Sequence, residues 1–183
     1  MPFYVDYVLG ADDPSIYLVL YFLVGFIFLP AWVKLAGRIG KKEAWIAAML
    51  INTGAFVGVF FLGHGHTQWY SFLVALSGIG YGASLALPSS MQADVIDLDE
   101  LQHRTRKEGQ FIGFWSIAKK LAAALGGGIA LTSLDLAGYQ PNVEQSETTL
   151  FCLRFLYAGV PCLCNFIAIA VAWRYPIDQA THE

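Results

Sequence analysis

The sequence predicts an all-α integral membrane protein, and three observations carry that prediction. Of 183 residues, 56% are hydrophobic and only 14% are charged, against about a quarter charged in a soluble domain. The apolar residues gather into five long runs. Each run approaches the roughly 20 helical residues that a hydrocarbon core about 30 Å thick requires. The N-terminal stretch "MPFYVDYVLGADDP" has no basic n-region and carries Asp6, so it reads as lacking a cleavable signal peptide.

The predicted spans cover residues 15–33, 44–62, 69–91, 110–134 and 150–173. The first lies between Asp13 and Lys34, and the second between Glu43 and His64. The third opens at Trp69 and runs into a loop dense with charge. The fourth contains Lys119 and Lys120, and the fifth contains Arg154. Lys34, Arg38, Lys41 and Lys42 separate spans one and two. Arg104, Arg106 and Lys107 separate spans three and four, and Arg174 follows span five. The other connections carry no basic residue. The positive-inside rule then places the N-terminus outside and the C-terminus in the cytoplasm of a multi-pass protein of the inner (plasma) membrane. Trp69, Tyr70 and Tyr139 fall near outer edges, and Trp32, Trp45, Trp173 and Tyr175 near inner ones, as an aromatic belt would. An odd number of spans starting outside predicts further helices upstream.

Packing signals are visible along the spans. Ala118, Ala122, Gly126 and Ala130 recur every fourth residue in span four, and Gly78 and Gly82 do so in span three. Such small-residue stripes suit close helix contact. Pro30 and Pro88 fall near the cytoplasmic ends of their spans and Pro161 inside span five. Each predicts a bend or a pivot.

The chemistry lies in the charged residues. An ammonium in hydrocarbon is costly, so it faces a polar cavity or a partner. Lys119 and Lys120 fall near mid-membrane, and adjacent helix positions diverge by about 100°. One of them is expected to face a central cavity while the other leans toward headgroups or a neighbouring carboxylate. The bland alternative is a packing ion pair. Trp115 and Ser116 lie four residues before Lys119 and Lys120 respectively, on the same faces. Trp115 fits either a polar cavity, stacking on a sugar or acyl chain, or a lipid-facing position. No acidic residue sits at the lysines' depth, which points to a counter-charge on helices outside this chain. Arg154, in the outer third of its span, is expected to snorkel outward.

The stretch "ADVIDLDELQHRTRKEG", residues 94–109 with the preceding alanine, reads as a cytoplasmic loop. Asp94, Asp97, Arg104, Arg106 and Glu108 are its candidate gating charges. It is either a solvated, charge-balanced loop or a salt-bridge latch. His64 and His66 alone make a poor metal site. Cys152, Cys162 and Cys164 match no zinc spacing and read as apolar packing. No phosphate-binding loop, dinucleotide fingerprint or nucleophile–base pair is present, so the chain is not expected to be an enzyme, and neither a metal nor a resident cofactor is expected.

"MQADVIDLDELQHRTRKEGQFIGFWSIAKKLAAALGGGIA" resembles the tenth-to-eleventh helix region of the glycoside-pentoside-hexuronide:cation symporters, the melibiose-permease branch of the major facilitator superfamily. "GYQPNVEQSETTL" is similar to the entry of their last helix, "YVLGADD" to the end of their seventh, and "VKLAGRIGKK" to their loop between helices eight and nine. The related lysophospholipid symporters share "LDLAGYQ" and "YPID". The resemblance spans the whole chain in order. It implies the C-terminal six-helix bundle of a major facilitator fold, with residues 1–10 as the tail of a mostly missing helix seven and the five spans as helices eight to twelve. It implies a twelve-helix symporter in two bundles with substrate held between them near the midplane, and a Na+ or H+ site mostly in the N-terminal bundle. The family's helix-eleven lysine carries over onto Lys120, facing that cation and substrate site. Asp94, Arg106 and Glu108 match its cytoplasmic loop pattern and imply gating. Trp115 and Ser116 stand where the sugar transporters have polar residues, and Lys119 and Arg154 depart from them as well. The expected partners are the lipid bilayer, an N-terminal six-helix bundle on the same or a separate polypeptide, and a small-molecule substrate, with no nucleic acid. The expected function is that of a cation-coupled symporter half for a sugar or glycoside. The alternatives are a lysophospholipid-type symporter half, or a five-helix assembly protein that transports nothing.

Overall fold

The computed structural model describes residues 2–11, 13–105 and 107–174. Among these, every regular element is helical. A short helix, α1 (Pro2–Tyr4), runs on through a π-helical turn (Val5–Leu9) and stops at Gly10, whose φ is 68°. Five long helices follow: α2 (Ser15–Ile39), α3 (Lys41–Phe60), α4 (Thr67–His103), α5 (Glu108–Leu136) and α6 (Glu147–Trp173). All five are long and apolar enough to cross a membrane.

The ends have local causes. Asp13 accepts the Ser15 N–H at 2.9 Å and ties down the start of α2. Gly40, at φ 98°, breaks the chain between α2 and α3 in a conformation that side chains rarely adopt. Ser146 caps α6 by accepting the Thr149 N–H. Within α6 a π-helical turn, Phe155–Gly159, sits just ahead of Pro161. Proline has no N–H and its ring crowds the carbonyl four residues back, here that of Tyr157, so a widened turn accommodates it without ending the helix.

The helices outrun the expected spans at several ends, most of all in α4. The stretch expected as a loop over 94–109 is helical through His103, and only 104–107 connect α4 to α5. No glycine and no proline lie between Pro88 and Gly109, so nothing local stops the helix once it leaves the apolar region. It ends where Arg104 turns left-handed at φ 51°, its N–H held by the Glu100 carbonyl at 2.8 Å.

Helix α4 is the axis of the bundle, and glycine lets its neighbours approach it. A Cβ on Gly78 would lie 2.7 Å from the Tyr21 carbonyl, and one on Gly82 would lie 2.5 Å from the Gly25 carbonyl. Both of those carbonyls belong to α2. On another face, a Cβ on Gly80 would lie 2.7 Å from the Ala48 carbonyl of α3. Without side chains at these positions the backbones pack almost directly on each other. Polar ties span the same contacts: Trp32 Nε1 donates to the Ile79 carbonyl at 2.7 Å, and Ser77 donates to Asn52 Oδ1 at 2.7 Å. At one end of the bundle Tyr4 of α1 and Val5, Val8 and Leu9 of the π-helical turn after it are buried with Tyr17, Tyr70, Leu153 and Ala158. At the other end Trp32, Ala36, Ala44, Ala83 and Leu87 form a second cluster. We call these the aromatic end and the basic end. Helix α6 packs on α3 through Met49, Ile169 and Ala172.

Helix α5 differs from the rest, because Leu134 is its one buried residue. It is held near its two ends. At the basic end Gln92 Nε2 donates to the Phe111 carbonyl at 3.2 Å. At the aromatic end Thr149 Oγ1 donates to the Ala137 carbonyl at 2.7 Å, and Cys152 Sγ lies 3.7 Å from the Ser133 carbonyl. The middle of α5 stands off from the bundle. Its stripe of Ala118, Ala122 and Gly126 is exposed, and a Cβ on Gly126 would meet nothing within 4 Å.

Candidate functional site

Two hollows fill the space between α5 and the bundle at the basic half. They share Gln92 and Trp115 as a dividing wall. The first, about 340 Å³, has polar walls that include Ser89, Glu108, Ser116 and Lys119. The second, about 440 Å³, is lined by Trp45, Met91, Phe111 and Phe114, with Gln92 almost its only polar group. Both fall within the size range of small-molecule sites.

Trp115, Ser116 and Lys119 are brought together in the polar cavity. Trp115 lies one turn before Lys119, and the Lys119 Nζ sits 5.9 Å from its ring centroid, within reach of a cation–π attraction. Glu108 lines the same cavity, but eleven residues of helix place it about 16 Å away along the axis. Lys120 is not part of this wall. It projects about 100° further round α5 and is exposed. Neither lysine forms an ion pair among the described residues. The two are thus separated as adjacent helix positions must be, one toward α4 and one away from the bundle.

The gating candidates divide in the same way. Asp94, 9% exposed, receives Lys41 in a two-pronged contact, with Nζ 2.7 Å from both carboxylate oxygens. Lys41 is the first residue of α3, so this pair pins the start of α3 to α4. The Asp99 carboxylate lies 3.0 Å from His103 Nδ1 and 3.8 Å from Lys107 Nζ. Asp97 is exposed, Arg104 forms the left-handed end of α4, and Glu108 opens α5. Arg106 lies outside the described residues. Lys41 is the partner of Asp94 that the sequence reading did not single out. The sequence marks only a lysine after the helix-breaking Gly40, and nothing local links it to Asp94.

Arg154 is half-buried at the aromatic end, and its Nε is buried without a hydrogen-bond partner among the described residues. Nearby, Tyr4 donates to the Val59 carbonyl at 2.7 Å, and the Tyr70 and Tyr157 hydroxyls are 2.8 Å apart. The connection between α5 and α6 folds back onto α1. Tyr139 donates to the Tyr7 hydroxyl at 3.3 Å, and the Asn142 N–H donates to the same oxygen at 2.9 Å. Desolvation, the hydrogen bond to Tyr7 and the nearby negative charge of Asp6 push the Tyr139 phenol up to about 12. His66 makes local contacts with Gly63. Among the described residues no three metal-ligating side chains converge.

Five helices long and apolar enough to cross a membrane, two of them packed on the glycine face of α4, are what a multi-pass membrane protein requires. The chain belongs to the family described as MFS/sugar transport protein, which it matches over residues 1–179. It is 29% identical to the glucuronide carrier protein homolog of Escherichia coli, over 97% of this chain and 39% of the relative. It is 30% identical to the putative sulfoquinovose importer of the same organism, over 86% of this chain and 33% of the relative. It is 31% identical to the human sodium-dependent lysophosphatidylcholine symporter 1, over 82% of this chain and 28% of the relative. The chain therefore spans about a third of the length of these relatives. They are transporters and not enzymes, which agrees with the absence of catalytic motifs in the sequence.

Proposed function

We propose that this chain supplies the C-terminal half of a cation-coupled symporter for a sugar or glycoside-type substrate, working by alternating access. The observation that carries this reading is the state of α5. It bears two lysines at mid-helix, an open small-residue stripe and almost no buried surface. A helix so equipped calls for a partner bundle that covers its outer face and supplies a carboxylate to Lys120. The shared third of the relatives' length supports the same view.

In this reading Lys120 faces the partner bundle, and Lys119, Ser116 and Trp115 line the substrate path on the near side. A cation arriving at carboxylates across the cavity competes with the Lys120 ammonium for the same negative charge. Its binding frees the lysine and reshapes the site for substrate, which couples the two. The gate group of Asp94, Asp97, Arg104, Arg106 and Glu108, joined by Lys41, holds the cytoplasmic face, with the N-terminus outside. Sodium or a proton is the coupling ion, and the sodium dependence in the name of the lysophosphatidylcholine symporter supports sodium. A second reading, transport of a lysophospholipid, draws on that relative and on the apolar hollow beside Trp115.

Uptake by the complete symporter in membrane vesicles tests the proposal. Lys120→Ala abolishes cation-driven accumulation of a glycoside if the coupling is as described. Unchanged cation-driven uptake in that variant would refute it.

A further inference from the structure

The apolar hollow beside Trp115 does not end at α5. Trp45 and Met91 also line a third hollow of about 480 Å³ that continues across α3 to α6, where Ala168 and Ala172 form its wall. These alanines lie at i and i+4 on one face of α6 and leave room that larger side chains would fill. The result is one apolar groove at the basic end, running from Phe111 and Phe114 to α6. Its rim is open: Phe114 is 73% exposed and Val171 64%. The groove ends at Arg174, which lines its last portion.

An apolar groove among helices long and apolar enough to cross a membrane, with an arginine at its end, is complementary to an anionic amphiphile. We propose that this groove holds a resident anionic phospholipid. One acyl chain lies along Trp45, Met91 and Ala168, and the phosphate pairs with the planar fork of Arg174. The lipid would fill the gap between α5 and the α3–α6 pair and brace a helix that the chain itself supports only near its two ends. This site is separate from the polar cavity of Lys119 and does not rest on the transport reading.

The test uses the 183-residue chain in nanodiscs of phosphatidylglycerol and phosphatidylcholine, released into mild detergent, with bound lipid counted by native mass spectrometry. The chain retains phosphatidylglycerol over phosphatidylcholine about fivefold, the factor that one basic residue near the headgroups supplies. Arg174→Gln removes that preference while lipid still binds, and Ala168→Phe lowers retention of both lipids. Lys34→Gln, an exposed charge at the same end but outside the groove, leaves the preference intact. Because Arg174 is exposed, its replacement reads headgroup pairing without disturbing packing. Four results would each overturn the proposal. They are no preference in the parent chain, a preference unchanged in Arg174→Gln, an equal loss in Lys34→Gln, and retention of added lysophosphatidylcholine in place of phosphatidylglycerol. The last would assign the groove to a transported lipid.

Discussion

Replacing Gly82 by alanine adds one methyl group at the tightest point of the bundle. That Cβ would lie 2.5 Å from the Gly25 carbonyl oxygen and 3.2 Å from the Leu29 nitrogen, both backbone atoms of α2. An unstrained carbon–oxygen contact is about 3.3–3.6 Å, so the two helices must part by about 1 Å. No flexible side chain can absorb the shift. Overpacking of this kind costs about 1–3 kcal/mol, offset in part by about 0.5–1 kcal/mol from replacing glycine within a helix. The expected net loss is up to about 2.5 kcal/mol. Gly126→Ala is the internal control. Its Cβ meets nothing within 4 Å, so the isolated chain gains about 0.5–1 kcal/mol. Reversible unfolding in mixed micelles, followed by far-ultraviolet circular dichroism, should order the proteins as Gly126→Ala, parent, Gly82→Ala. A Gly82→Ala chain at least as stable as Gly126→Ala would refute the reasoning that α2 and α4 meet backbone to backbone.

Two further outcomes are expected. Lys41→Met leaves the buried Asp94 carboxylate without its lysine, and because Lys41 is itself 37% exposed the loss is about 1–3 kcal/mol, less than for a fully buried pair; the same unfolding assay reads it, and Lys41→Arg should recover most of it. Finally, folding lifts the Tyr139 phenol from 10.0 to about 12, so the unfolded chain loses that proton first. The contribution of Tyr139 is full below pH 10 and is lost as pH rises through about 12. Phenolate absorbance during an alkaline titration should show this late-ionising tyrosine, and Tyr139→Phe should remove it.

Much of this was legible in the sequence. The five spans follow from apolar length, and the Gly78/Gly82 stripe marks the face of α4 that α2 covers. The small stripe of α5 has the same pattern yet stays open, since spacing shows that a face can pack but not what packs on it. The expected loop over 94–109 missed the helix because charge was read as loop, whereas Leu98, Glu100, Leu101 and Gln102 are good helix formers and no glycine or proline interrupts the run. The Lys41–Asp94 pair spans 53 positions, and no local pattern links them. The separation of Lys119 from Lys120 was readable from helical geometry. Which of them faces the bundle was not, because it depends on how α5 is rotated by its two end contacts. The π-helical turn before Pro161 was hidden as well, since proline predicts a disturbance without saying how the helix absorbs it.

The central claim is that this chain is half of a cation-coupled symporter with Lys120 at the coupling site. Its most direct test is uptake by the complete reading frame in proteoliposomes, with a sodium or proton gradient imposed and a glucuronide or a lysophosphatidylcholine offered outside. The account predicts accumulation of the glucuronide that collapses when the gradient is dissipated and is absent in Lys120→Ala. Accumulation that ignores the gradient, or that persists in Lys120→Ala, would contradict it.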